Sequence, residues 1–224
     1  MRILVVDVGG SNVKILATGR RVHRKMASGP MLTPRAMVKG VRELAQGWAW
    51  DRVSIGYPGV VKRNRPVTEP VNLGRGWVRF DYAAAFGKPV RILNDAAMQA
   101  LGSYHGGSML FLGLGTGLGS TLIVHGEIQP LELGHLPYKK DGSFEDYVGK
   151  RGRERLGKKR WCAVVADVIE RIQDAVRPDY TVLGGGEAKL LSRLPKGVEP
   201  GNNRFAFKGG FLLWKRDTRR HRRL

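Results

Sequence analysis

The sequence predicts a duplicated α/β fold, and two observations predict it. The chain opens with an apolar strand, Ile3-Leu4-Val5-Val6, which enters Asp7-Val8-Gly9-Gly10-Ser11-Asn12 and leaves through a second strand at 13–17. The same order returns later: a strand at 109–112, a glycine turn Gly113-Leu114-Gly115-Thr116-Gly117-Leu118-Gly119, and a strand at 120–124. Two halves that each open with strand, glycine turn and strand point to two related sheets. The 224 residues suffice for one large domain or two small ones with real cores.

Between these openings the elements follow from local chemistry. Thr33-Pro34 reads as an N-cap followed by proline at the first helical position. The helix is expected to run to about Trp48, with Met37, Val41, Leu44, Ala45 and Trp48 on one face. A short strand at 52–55 ends at Gly56-Tyr57-Pro58-Gly59, and residues 61–81 read as loop. A strand at 90–93 meets Asn94-Asp95, which caps a helix through Leu101. After the second glycine turn, residues 150–160 are densely basic and polar. Trp161, Val164, Val165, Val168, Ile169, Ile172 and Val176 then form a helical stripe that belongs in a core. A strand at 180–183 enters Gly184-Gly185-Gly186, followed by a helix at about 188–194 and a last short one at about 209–214. Residues 215–224, with Arg219, Arg220, Arg222 and Arg223, are expected to be disordered or surface-bound.

Bulk composition narrows the function classes. Apolar and charged fractions of 42% and 26% are ordinary for a globular chain. The balance of 39 Lys+Arg against 19 Asp+Glu, a net +20, attracts polyanions of any kind and says nothing about fold. The single cysteine, Cys162, excludes an intramolecular disulfide and a cysteine-rich zinc site. The chain starts at once in a strand, with no secretory signal pattern, and its longest uncharged stretch is broken by glycines. A cytoplasmic protein with no membrane partner is expected.

The first glycine turn exposes successive backbone N–H groups that can cradle phosphate oxygens. Asp7 stands at its mouth, where a carboxylate can hold magnesium through water. Taken alone, the segment fits a hairpin turn beside a solvated aspartate better. The second turn lacks dinucleotide-fingerprint spacing and leads into a strand, so it reads as a further phosphate loop with the Thr116 hydroxyl as a donor, or as a plain hairpin. Asn94-Asp95 reads both as an N-cap and as a strand-end carboxylate that takes a proton from a substrate hydroxyl. Glu132 and His135, three apart, can face sugar hydroxyls together. The pair is too small a donor set for a metal site, and a lone histidine is more often structural.

Six segments stand in a specific order: Asp7 to Lys14, Pro58-Gly59-Val60-Val61, Asn94-Asp95-Ala96, Leu114 to Ser120, Glu132-Leu133-Gly134-His135 and Leu183-Gly184-Gly185-Gly186. That order resembles the ROK sugar kinases, closest to their polyphosphate/ATP glucokinase branch, and the likeness runs to about Trp214. The run Arg155 to Trp161 and Arg177-Pro178-Asp179 also resemble that branch. The resemblance implies an actin-like (ribonuclease H-like) duplicated fold of two α/β domains with the active site between them. The small domain is expected at 1–94, joined by a C-terminal helix at about 207–216, the large one at 95–206, and a basic tail at 217–224.

The resemblance further implies Asp95 as the base that deprotonates a sugar 6-hydroxyl, with Asn94, Glu132 and His135 as sugar ligands and Asn72 lining the sugar pocket. It implies Gly9, Gly10, Ser11 and Lys14 as the first phosphate loop, with Asp7, and Thr116 and Gly117 as the second. Gly185 and Gly186 would hold the nucleotide or the far end of the donor. Mg2+ is expected with ATP or polyphosphate. The cysteines of the zinc site found in many members are missing, so His135 is expected to serve sugar, not metal. No helix-turn-helix precedes the first strand, which argues against a regulator and against a specific nucleic-acid partner. The family is commonly dimeric, which leaves a homodimer open. A basic cluster, Lys139, Lys140, Lys150, Arg151, Arg153, Arg155, Lys158, Lys159 and Arg160, could bind a chain of phosphates or simply be a solvated face. The rival functions are a kinase for another hexose, such as an N-acetylhexosamine or mannose, and a non-catalytic sugar- or polyanion-binding homologue.

Overall fold

The computed structural model describes residues 1–139, 142–202 and 204–215. The chain forms two compact units, one of Met1–Met98 together with the segment from Ala206 onward, the other Gln99–Phe205.

The first unit opens with β1 (Ile3–Val8), β2 (Asn12–Ala17), β3 (Arg24–Ala27) and α1 (Pro34–Leu44). Next come β4 (Arg52–Tyr57), a small hairpin of β5 (Val61–Lys62) and β6 (Arg65–Pro66), α2 (Tyr82–Phe86), β7 (Val90–Asn94) and α3 (Asp95–Ser103). Its sheet has the order β3-β2-β1-β4-β7. β1 pairs antiparallel with β2 but parallel with β4, and β4 is parallel to β7. The carboxyl ends of β1, β4 and β7 therefore share one edge, with Asp7 opposite Gly56 and Gly56 opposite Leu93.

The second unit contains β8 (Ser108–Leu114), β9 (Leu118–Val124), β10 (Glu127–Leu131) and a 3-10 turn at Leu133–His135. Then follow α4 (Phe144–Val148), α5 (Lys150–Leu156), α6 (Lys158–Val176), β11 (Tyr180–Gly184), a 3-10 turn at Glu187–Leu190 and β12 (Val198–Pro200). Its sheet, β10-β9-β8-β11-β12, repeats the order and strand directions of the first. The chain returns to the first unit through α7 (Phe205–Leu212).

Several boundaries differ from those expected. The Thr33 hydroxyl does cap α1, accepting from Ala36 N–H at 3.3 Å, but the helix stops at Leu44, and Gly47 turns the chain at φ +77°. The stretch 150–160 is not one continuous element: Gly157, at φ +72°, divides it between α5 and the start of α6. The glycine turn at 113–119 is shorter than expected, because Gly113 and Gly119 pair within the β8–β9 ladder. The helix expected at 188–194 is only the 3-10 turn, and the last helix begins at Phe205. The basic tail 217–224, Lys140 and Asn203 lie outside the described residues.

Packing follows the apolar stripes. Met37, Val38 and Val41 of α1 bury against β1, β2 and β4. Trp161, Val165, Val168, Ile169 and Ile172 of α6 bury against β8 and β11, and the Trp161 indole N–H donates to Val148 O at 2.8 Å. On the other face of the first sheet, Ile3, Val5 and Met98 pack with Ala206, Phe207 and Trp214. Ser54, fully buried, joins them: its hydroxyl donates to Gly210 O at 2.6 Å and accepts from the Trp214 indole at 2.9 Å. Ser54→Ala strands both partners, so a loss of roughly 1–3 kcal/mol is expected in urea unfolding.

Candidate active site

In the first unit the site is built on the carboxyl edge of three parallel strands, where open α/β sheets place their ligands. The turn after β1 closes through Gly9 N–H donating to Asn12 O at 3.0 Å, and the Ser28 hydroxyl donates to Gly9 O at 2.6 Å. A side chain at Gly9 would stand 3.1 Å from Asn12 O, which explains the glycine. Gly10 lies against Asn72, whose Cβ is 3.4 Å from where a Gly10 side chain would begin. The loop carrying Asn72 is held by Glu69, whose carboxylate accepts from Trp77 N–H and Val78 N–H at 3.1 Å each. Glu69 is a positioning residue with no sequence signal of its own.

Asp7 and Lys14 are paired across β1 and β2, and their charged atoms lie 4.0 Å apart. Burial raises the Asp7 carboxyl above the ordinary carboxylate range, with Lys14 and His23 pulling it back. A largely buried carboxylate at the mouth of an N–H-rich turn is a hard oxygen donor suited to Mg2+ shared with donor phosphates. The residues present thus fit that ion.

At the end of β7, Asn94 supplies the cap of α3. Asn94 Oδ1 accepts from Ala97 N–H at 3.1 Å and caps α3, while its amide donates to Gly59 O at 3.2 Å. Asp95, half-buried, takes the neighbouring Ala96 N–H on Oδ1 at 2.8 Å.

The second unit brings together a different set. The β8–β9 turn closes through Gly115 N–H donating to Gly117 O at 3.1 Å, and Lys150 N–H donates to Gly115 O at 3.0 Å. Thr116 and Gly117 are held there by α4 and α5: a Cβ on Gly149 would strike Thr116 O, and one on Gly117 would strike the Glu145 carboxylate. Glu132 precedes the 3-10 turn and His135 ends it, and both are exposed. Ser120, buried beneath, fixes that turn by accepting from Leu133 N–H at 3.0 Å and donating to Leu131 O at 2.9 Å. His135 Nε2 lies 3.5 Å from Glu145 Oε1. Glu145 therefore joins Gly117, Gly134 and His135 in one cluster. Sequence reasoning missed it, although Ser143 and Asp146 form a capping box that marks the first turn of its helix. Gly185, at φ +91°, presses against the Leu114 backbone, so the triple glycine adjoins the second turn, whereas Gly186 faces open space.

Much of the basic cluster has local partners. Arg153 pairs with Glu187, and Lys150 lies 4.0 Å from Glu154. Arg155 stacks over Tyr147 at 4.8 Å, and Lys139 sits 5.1 Å from the Tyr138 ring. Arg151, Lys158, Lys159 and Arg160 remain on the exposed surface.

The sequence profile of the ROK family matches residues 3–152. This chain belongs to the ROK family. The ROK chain is 30% identical over 218 residues to the polyphosphate glucokinase of Mycobacterium tuberculosis, with 84% of this chain and 78% of that protein covered. Its fold matches the inorganic polyphosphate/ATP-glucomannokinase of Arthrobacter sp. strain KM, at a TM-score of 0.80 and 21% identity over 95% of this chain and 97% of that one. It also matches a ROK glucokinase from Streptomyces griseus solved with glucose and AMPPNP, at a TM-score of 0.76 and 17% identity over 95% and 99%. The duplicated sheets of this ROK protein are thus the actin-like fold of that family. Among the described residues no helix is long and apolar enough to cross a membrane.

Proposed function

We propose that this sugar kinase transfers a phosphoryl group from polyphosphate or ATP to the 6-hydroxyl of glucose, with Asp95 as general base. The observation that carries the proposal is the arrangement at the end of β7: Asn94 supplies the cap of α3, and Asp95 stands beside it at the carboxyl edge of the parallel strands. Asp95 takes the proton of the sugar hydroxyl as that oxygen attacks the terminal phosphorus. Asn94, Asn72, Glu132 and His135 bind the remaining hydroxyls, and Glu145 orients the His135 ring. The transition state of phosphoryl transfer is loose, so positioning and charge neutralisation dominate. The N–H groups of Gly9, Gly10 and Ser11, the Lys14 ammonium, and Thr116 with Gly117 receive phosphate oxygens, with Gly185 and Gly186 toward the far end of the donor. Asp7 would hold Mg2+, which when bound offsets charge on the donor phosphates. The names of the M. tuberculosis and Arthrobacter relatives favour glucose and polyphosphate beside ATP.

The test is a coupled glucose 6-phosphate assay on the purified chain, with ATP and long-chain polyphosphate supplied separately. Turnover with glucose and at least one donor is the expected result. Turnover only with mannose or an N-acetylhexosamine would replace the acceptor, and silence with every sugar and donor would leave a non-catalytic binding protein. In the same assay Glu145→Gln is expected to raise the sugar KM about tenfold with a smaller change in kcat, as the loss of one charged hydrogen-bond partner does.

A further inference from the structure

A groove of about 640 Å3 lies on the first unit between α1, α2 and the segment that precedes α2. None of the residues lining it is assigned above to phosphoryl transfer. Three cations on α1 line the groove: Arg35, Lys39 and Arg42, spaced four and three residues apart and so on one helical face. Arg79 adds a fourth from the opposite wall. All four are exposed, and among the described residues none lies within ion-pair distance of a carboxylate. Some other surface cations are paired, as Arg2 is with Asp51 at 2.8 Å and Arg171 with Asp167 at 3.0 Å. The one carboxylate in the lining, Asp81, is engaged in capping α2, accepting from Ala84 N–H at 2.9 Å.

The lining separates this groove from a merely solvated basic face. Arg79, at φ +69°, is one of six non-glycine residues in the left-handed region among the described residues, and that turn places it on the wall opposite the α1 cations. The rest of the lining is apolar: Val38 and Ala85 line it beside the half-buried ring of Phe80. We propose that this groove binds a phosphate monoester carried on an aromatic or apolar body. The four cations meet the phosphate dianion, and Phe80 with its aliphatic neighbours takes the body. The volume is in the range of small-molecule sites. A bare phosphate chain would leave the apolar wall unused.

The probe is 1-naphthyl phosphate, titrated into the full chain at low salt beside 1-naphthol and inorganic phosphate. The ester is expected to bind at least about tenfold tighter than either fragment, since each fragment engages half of the lining. The double variant Arg35→Glu/Lys39→Glu is expected to weaken it a further tenfold or so while kinase turnover stays unchanged. Arg79→Gly, which keeps the left-handed backbone accessible, is expected to weaken binding about threefold without lowering thermal stability. Equal binding by the double variant, or inorganic phosphate binding as tightly as the ester, would overturn the proposal.

Discussion

Asp95→Asn is expected to lower kcat by roughly 10²–10⁴, the usual contribution of a general base. The protein should stay folded, with unfolding free energy within about 1 kcal/mol of the parent. The cap of α3 comes from Asn94, and an asparagine at 95 still offers an oxygen to Ala96 N–H. The sugar KM should move less than kcat, because the lost function is exercised as the hydroxyl gives up its proton. Asn94→Ala is the control: it removes the cap and the bond to Gly59 O, and should cost about 1 kcal/mol of stability. Rates normalised to folded protein separate the two effects. If Asp95→Asn unfolds the chain while each folded molecule keeps full turnover, Asp95 is a structural residue.

Gly185→Ala is expected to destabilise the chain by roughly 2–4 kcal/mol, read from chemical denaturation. Part of this is the left-handed backbone at φ +91°, about 1–2 kcal/mol for a residue with a Cβ. The remainder is overlap: the new Cβ falls on the Leu114 backbone, so the end of β8 must shift away from β11. That shift displaces the turn carrying Thr116 and Gly117, and kcat/KM for the phosphoryl donor should fall with it. Gly186→Ala makes the comparison clean. Gly186 sits at φ −67° with nothing near its missing side chain, so its stability cost should stay within about 0.5 kcal/mol. Equal stability for both variants would show that the close approach of Gly185 to Leu114 is not needed for folding.

The duplication was legible because both halves open with buried apolar strands around a glycine turn, a pattern that survives without any long-range information. The partners of those strands were not. β3, Arg24-Lys25-Met26-Ala27, and β10, Glu127 to Leu131, are mostly exposed edge strands whose side chains show no clean alternation. Their pairing with β2 and β9 is fixed by tertiary hydrogen bonds that local propensity does not report. Asp7, Lys14, Asn94 and Asp95 could be nominated from sequence because each lies near a strand end beside a recognisable turn. Glu145 and Glu69 escaped it, since one acts through space on His135 and Gly117 and the other through backbone N–H groups eight and nine residues away. The basic run at 150–160 was legible as composition but not as a set of individual contacts. Arg153 and Lys150 meet carboxylates and Arg155 meets an aromatic ring, while Arg151, Lys158, Lys159 and Arg160 stay exposed.

The return of α7 to the first unit sets a timetable for biosynthesis. Residues of the second unit are contiguous, so everything that unit needs has been translated by Phe205. The first unit begins 98 residues earlier but keeps Ile3, Val5 and Met98 uncovered until Phe207 and Trp214 have been made. Gly210 is the point of contact, since any larger residue there would collide with Val5. Nascent domains ordinarily mature from the amino end. Here the segment translated first completes its core last, and its exposed apolar strand must wait on the ribosome for its cover.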